Sequence, residues 1–451
     1  MNITTLKNIL TNSEIITDDR LLEAVSQDES SLNPIKPMAL IHPHDTLDIQ
    51  KAVLFCNKHN IPITTRGAGS SLEGNSIPSP NSICIDMSKK NNIISYNENN
   101  LTIWSETGVI YDNLNNYLKD YSVFFPPSPG GSGDVATIGG MVSTNASGIY
   151  SVKYGGMRDW LLGLEIVSGK GDILKIGNPI RKCTSGYDIK NIICGSEGTL
   201  GIITKVLLRL TGLPENRKKN CYLFDTEQDT IACVTDILKY GIDISAIEYI
   251  DKNSVNALNK LKNYGLEEKP ILFTEIHGFT SSISETDALL NEIVSEHSGT
   301  IIDTKSLEDP WEIRHHLTTA IKVANNGLKL KRNDVVVPID KLPQLVDFIY
   351  IRSNQLNRNI YIFGHVGIGI VHVLIPYNSS IDADISIADM LNSEIIEYSI
   401  KLEGSISGEH GIGLAHKHRM KLEHGVNLDY MKEIKKVFDP NNILNPDKIF
   451  N

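Results

Sequence analysis

The chain has 451 residues, 41% of them hydrophobic and 22% charged, with a formal net charge of −11. That length calls for two large domains or three, and the composition excludes a disordered chain. The acidic balance excludes nucleic-acid binding as a main task, but it leaves room for a local basic pocket that takes a small anion.

Taken in chain order, the opening MNITTLKNILTNSEIITDD lacks a basic segment followed by an apolar one, and no apolar run reaches the length of a membrane span. A cytoplasmic protein is expected, with attachment at the inner face of a membrane left open. LDIQKAVLFCNKHN (47–60) has helical periodicity, and IPITTRG after it reads as a strand entering a turn. Further strands are expected at SICIDM (82–87), LTIWSETG (101–108) and LLGLEIVSGKGDILKIG (161–177), the last with a hairpin turn at Gly169–Gly171. The texture changes at TGLPENRKKN (211–220), where proline, asparagine and charge cluster, so a boundary is placed at 213/214. Beyond it amphipathic helices alternate with strand-like runs such as PILFTEIHG and NIYIFGHVG, and VFDPNNILNPDKIF closes the chain with two Asp/Asn-Pro turns. The six cysteines (Cys56, Cys84, Cys183, Cys194, Cys221, Cys233) include no C-x-x-C pair, which removes iron–sulfur and zinc-ribbon readings.

RGAGSSLEGN (66–75) invites comparison with a dinucleotide fingerprint, with Asp86 about twenty residues downstream. The match fails because Leu72 stands at the third glycine position and the segment continues as loop. Three more segments, ATIGGMVSTNASG (136–148), YGG (154–156) and CGSEGTLGIIT (194–204), add small residues and backbone N–H groups, which can approach a pyrophosphate closely.

Together, RGAGSS, ATIGGMVSTNASG, KYGGMRD, GYDIKNIICGSEGTLGIIT and DPNNILNP resemble the FAD-binding oxidoreductases of the vanillyl-alcohol-oxidase/PCMH superfamily. Within it they are most similar to the group of D-lactate dehydrogenase, glycolate oxidase FAD subunit and D-2-hydroxyglutarate dehydrogenase. The resemblance implies an α+β protein: a PCMH-type FAD-binding domain of two α/β subdomains over 1–213, then a substrate domain over 214–451 with an antiparallel sheet flanked by helices. The last ~45 residues would return to the flavin. It assigns FAD contacts to Arg66, Gly67, Ala68, Gly69, Ser70, Ser71, Gly74, Thr137, Gly140, Ser143, Asn145, Gly148, Glu197, Gly201, Ile203 and Asn445. Relatives often read N-P-G at the end, where this chain has Asp447, and no histidine occupies the first loop, so noncovalent FAD is expected.

Oxidising a 2-hydroxy acid needs a clamp on the carboxylate, a polarised hydroxyl, a base for its proton and an acceptor for the Cα hydride. WEIRHHLTTAIK (311–322) puts Arg314 and Thr318 four apart on one helix face, and the resemblance makes this pair the carboxylate clamp, with Arg332 in support. GHVGIGIVH (364–372) and GSISGEHGIG (404–413) hold further candidates. In one regular strand His365 and His372 would face opposite ways, so they meet only if Gly364, Gly367 and Gly369 break the pleat. Spacing alone leaves buried glycine-rich turns and a metal site both open. The resemblance implies that His365, His372 and Glu409 ligate a divalent metal suited to imidazole, zinc above all, and that His410 is the general base. Metal-dependent relatives often read GDGN where this chain has GIGI, so Ile368 and Ile370 replace an acid and an amide, and the substrate side chain is left open.

The function implied is FAD- and metal-dependent oxidation of a D-2-hydroxy acid, D-lactate-like, with glycolate or a larger acid as variants. An external acceptor (quinone, cytochrome, electron-transfer flavoprotein or a separate iron–sulfur subunit) would take the electrons, and a homodimer is left open. Two alternatives remain. One is an alkyl-dihydroxyacetone-phosphate synthase-like transferase, whose S-x-x-H-H-G pattern Glu409 contradicts. The other is a non-catalytic flavoprotein subunit, which Ile368 and Ile370 favour.

Overall fold

The structure is a computed structural model that describes residues 3–303, 309 and 311–450. The chain divides into two compact units, one comprising 1–148, 155–213 and 409–451, the other 149–154 and 214–408. Each unit takes its chain from more than one stretch, so neither follows a single cut in the sequence.

The first unit carries two main sheets, with mixed α/β character throughout. A four-stranded sheet runs Glu14–Ile16, Ala39–His42, Ile83–Asp86, Ile63–Arg66 in spatial order, antiparallel at the first pair and parallel at the other two. The helix Thr46–His59 packs on it: Asp45 caps the start by accepting from the Asp48 N–H, Asn60 ends it in the left-handed region, and Ile49, Ala52, Val53 and Cys56 form its buried stripe. A five-stranded antiparallel sheet is formed by Ile93–Asn97, Thr102–Glu106, Ile202–Arg209, Leu161–Val167 and Ile173–Gly177. Its last two strands are the expected hairpin, closed where the Ser168 N–H donates to the Asp172 carbonyl and the Gly171 N–H to that of Ser168.

The second unit is built on one antiparallel sheet of seven strands, in spatial order Thr300–Ile301, Asn216–Leu223, Ile271–Gly278, Ala246–Ile250, Tyr361–Gly364, Ile370–Tyr377 and Lys329–Val336. Helices cover both faces of this sheet. Helices Thr280–Glu296 and Asp382–Lys401 lie on one face. Against the other, Trp311, Ile313, Leu317 and Ile321 from two short helices pack with Phe273, Tyr361, Phe363 and Leu374.

One expectation needs correcting here and another takes a particular form. WEIRHHLTTAIK is not one helix; it forms Glu312–His315 and Leu317–Ala324, parted at His316, so the four-residue spacing of Arg314 and Thr318 does not settle what they share. GHVGIGIVH does break at its glycines, and the break is a reversal between two strands. Tyr361–Gly364 ends, a 3₁₀ turn spans Val366–Ile368, and Gly369 turns the chain at φ +81°, where a Cβ would sit 2.1 Å from the Val337 carbonyl oxygen. Phe363 then pairs with His372 across the hairpin, which puts His365 one step diagonal from His372 and on the same face. An odd separation across a hairpin brings the imidazoles together, whereas along one strand it would part them.

Candidate active site

In the first unit the expected flavin residues gather on loops that follow strands. Arg66 ends its strand, and from Gly67 to Leu72 six successive backbone N–H groups find no acceptor among the described residues. Such a run of donors suits an anion. Thr137 faces the loop: a Cβ on Gly67 would lie 2.3 Å from its Oγ1. Thr137 also caps the turn Ile138–Thr144 by accepting from the Gly140 N–H, and Ser143 Oγ donates to the Gly139 carbonyl. The Arg66 guanidinium donates to the Gln27 carbonyl, and Ser71 Oγ to Asp28. Gly201 and Ile203 are buried at the start of the strand Ile202–Arg209. These small, donor-rich surroundings fit a dinucleotide pyrophosphate.

Several expected contacts spend their side chains within the protein. Asn145, in the left-handed region, accepts from the Arg158 N–H at 3.0 Å. Asn445 donates to the Glu197 carbonyl at 2.6 Å and accepts from the Thr65 N–H. Glu197 is buried, and its carboxylate accepts from Asn75 (2.6 Å) and from the N–H groups of Ile412 (2.7 Å) and Gly413 (2.8 Å). Burial still pushes its carboxyl above the ordinary range, those donors notwithstanding. Glu197 thus ties the segment after His410 to the loops, a role its sequence position did not announce.

His410 is oriented by its own unit. Its Nδ1 lies 3.6 Å from Glu73 Oε1 and its Nε2 3.7 Å from Glu409 Oε1, while His416 Nε2 lies 3.1 Å from Glu73 Oε2. Burial acts to raise the Glu73 carboxyl, but the hydrogen bonds of His410 and His416 outweigh it and hold it below the ordinary range. Glu73 is therefore an anion beside an imidazole. Glu409 itself accepts from Ser147 Oγ at 3.3 Å.

In the second unit, strand alternation and register gather the charged groups on one sheet face: Arg217 and Lys219, Glu275 and His277, Glu248, His372, and Arg332 and Asp334. His365 and His372 stand edge to face, with ring centroids 5.3 Å apart and a nitrogen of each within 4.8 Å of the other. Two nitrogens at that distance, on a buried face, fit a shared divalent cation. Each also has a carboxylate behind it. His365 Nδ1 is 2.5 Å from Glu248 Oε1, and His372 Nδ1 is 3.4 Å from Asp334 Oδ1. Arg314 reaches the same Glu248, with Nε at 3.2 Å and Nη2 at 3.0 Å from Oε2, and its guanidinium lies over the Phe363 ring. Thr318 is exposed on the next helix. Ile370 is buried on the face of His372, and a Cβ on Gly408 would meet its side chain at 2.7 Å. Sequence reasoning passed over Glu248, Asp334 and Glu73. The available signal was a lone acid in an otherwise apolar strand, as in AIEYI.

A unit of glycine-rich, donor-rich loops and a unit built on an antiparallel sheet with one charged face are the marks of a class of flavoproteins. Residues 37–177 match the family described as "FAD binding domain", and 213–449 match "FAD linked oxidases, C-terminal domain". The chain belongs to the FAD linked oxidases. It is 30% identical to "Probable D-lactate dehydrogenase, mitochondrial" of Danio rerio over 99% of this chain and 91% of that protein. With "Glycolate oxidase subunit GlcD" of Bacillus subtilis (strain 168) the identity is 31%, over 92% and 89% of the two chains. Among solved structures, p-cresol methylhydroxylase with substrate bound superposes with a TM-score of 0.84 at 17% identity, over 100% of this chain and 96% of that one, which establishes the PCMH-type fold. Among the described residues no helix is long and apolar enough to cross a membrane.

Proposed function

We propose that the protein oxidises a D-2-hydroxy acid to the 2-oxo acid, using noncovalently bound FAD and a divalent metal. The names of its relatives, a D-lactate dehydrogenase and a glycolate oxidase subunit, support that substrate class. Bound FAD would take the Cα hydride at N5, and the metal, zinc by its donor set, would polarise the hydroxyl. The loop Arg66–Ser71 and the Thr137–Gly148 segment bind the pyrophosphate through backbone donors, with Gly74, Glu197, Gly201, Ile203 and Asn445 completing the cradle.

His365, His372 and Glu409 hold the metal. For Glu409 the support is the resemblance, which makes it the third ligand. Arg314, Thr318 and Arg332 take the substrate carboxylate. His410 accepts the hydroxyl proton, and the Glu73 carboxylate beside its Nδ1 stabilises the imidazolium that results. The proton and hydride leaving the substrate account for its two-electron oxidation, and an external acceptor would take the electrons on.

The observation that carries this reading is the His365–His372 pair on the sheet face that also bears Glu248 with Arg314 docked on it. Ile370 on that face favours a small or apolar substrate side chain, so D-lactate ranks ahead of D-2-hydroxyglutarate. Anaerobic mixing with a panel of D- and L-2-hydroxy acids tests it. Bleaching of the flavin by one enantiomer series, D-lactate foremost, is expected, and an oxidised flavin across the panel sinks the reading.

A further inference from the structure

Glu248 lies in the centre of the seven-stranded sheet and is wholly buried. A carboxylate there carries a large desolvation cost unless each oxygen is answered. Both are, by different partners: Oε1 by His365 Nδ1, and Oε2 by the Nε–Nη2 edge of Arg314. Those two partners belong to different tasks in the proposed reaction, metal ligation and substrate binding.

The chemistry of each contact fixes what the partner can do. An ionised carboxylate only accepts, so the hydrogen on neutral His365 must sit on Nδ1, which leaves the lone pair on Nε2. A guanidinium has two forked edges. Glu248 occupies the Nε edge, and Nη1 of Arg314 has no acceptor among the described residues, so the Nη1–Nη2 edge can meet a second carboxylate side-on. The stacking of Arg314 over Phe363, 5.1 Å from the ring centroid, sets the plane of that edge. An ion pair serving stability alone would need only Arg314. Engaging His365 with the second oxygen is what links the two tasks.

Resting on the function proposed above, we infer that Glu248 is a positioning residue that fixes two groups at once: the tautomer of His365 for the metal, and the guanidinium of Arg314 for the substrate carboxylate. The Glu248→Gln variant tests it sharply. An amide has one accepting oxygen. If its NH₂ meets His365, the imidazole must move its hydrogen to Nε2 and loses its ligand lone pair; if the NH₂ meets Arg314, two donors oppose each other.

The experiment uses the FAD-loaded enzyme and compares wild type, Glu248→Gln, Glu248→Asp and Asp251→Asn. The last is a control at another wholly buried carboxylate, which is bonded to the Ser254 N–H and Tyr350. After chelator stripping, each is titrated with Zn²⁺ alone, and KM and kcat for D-lactate are measured on the reloaded protein. Histidine ¹⁵N spectra, assigned with a His365→Asn sample, report the tautomer, and flavin content reports folding. We expect Glu248→Gln to weaken zinc binding by about 10- to 100-fold and to raise KM by about tenfold or more, with the Nδ1–H signal lost. The Asp variant should restore part of both, and Asp251→Asn should leave both as in wild type.

A folded, flavin-loaded Glu248→Gln protein with zinc affinity and KM within about twofold of wild type overturns the inference, as does a change in only one of the two. If instead wild-type flavin is reduced by no 2-hydroxy acid, the functional reading fails first and the substrate half of the inference with it. The tautomer spectra then still decide the histidine half.

Discussion

The glycine-rich loops of the first unit and the sheet face of the second offer a ligand different materials. The loops of the first offer backbone: six consecutive N–H groups from Gly67 to Leu72, glycines where any Cβ would collide, and side chains such as Asn145, Glu197 and Asn445 that are spent on bracing the loops. The sheet face of the second offers side chains: His365 and His372 with carboxylates behind them, and Arg314 held by one of those carboxylates. A backbone site fails when it is crowded, and a side-chain site fails when a charge or lone pair is misplaced. The two should therefore break separately and leave different signatures.

The largest effect is expected on the sheet face. His372→Ala removes one of two imidazoles and should lower turnover by about 100- to 1,000-fold, while flavin content and absorbance stay those of the wild type. Loss of flavin in that variant would show that the two units do not fail independently. The converse test is Gly67→Val. Its branched side chain must push past Thr137 Oγ1, 2.3 Å from the new Cβ, so FAD affinity should drop by about 10- to 100-fold. Zinc affinity of the same protein should be unchanged. A Gly67→Val enzyme that purifies with full flavin would remove the crowding argument for the cradle.

The same contrast explains what could be read from the sequence. Backbone sites are written locally, as clusters of glycine and small hydroxyl residues, so RGAGSS and TIGGMVSTNASG were legible, as was the hairpin at Gly169–Gly171. Side-chain sites depend on register between distant strands. Glu248 and His365 are 117 positions apart and meet only because Tyr249 pairs with Gly364 in neighbouring strands. Asp334 backs His372 through a register that no short window contains. His365 and His372 were suspected, and the parity argument for one strand let them meet only if the glycines broke it. The αL turn at Gly369 makes it two, and that reverses the rule. Glu73 beside His410 and His416 is hidden because the loops that bring them together lie more than 300 positions apart along the chain.

The smallest expected effect concerns buried charge, and it sets the units against each other in pH. In the first unit the Lys448 amine is buried and donates to the Ile77 carbonyl, and burial pulls its pKa down from 10.5 to about 8. Between those values the unfolded chain binds the proton that the folded unit rejects, so stability from this group rises with pH across that window and is lost as pH falls through 8. In the second unit Asp251 and Glu227 are both bonded to the Tyr350 hydroxyl, and burial, with the Glu227 charge, raises the Asp251 carboxyl. Its sign is opposite: the folded unit holds the proton that the unfolded chain releases. Stability from Asp251 is complete below the ordinary carboxylate range and is lost as pH rises through the raised value. Calorimetry across pH 4–10 should then resolve two transitions that tilt in opposite directions, each by at most about 1.4 kcal/mol per pH unit. Lys448→Met should flatten only the alkaline rise and Asp251→Asn only the acid-side fall. A single transition that flattens equally in both variants would show that the units share one unfolding event, and the separation argued from their construction would not extend to their stability.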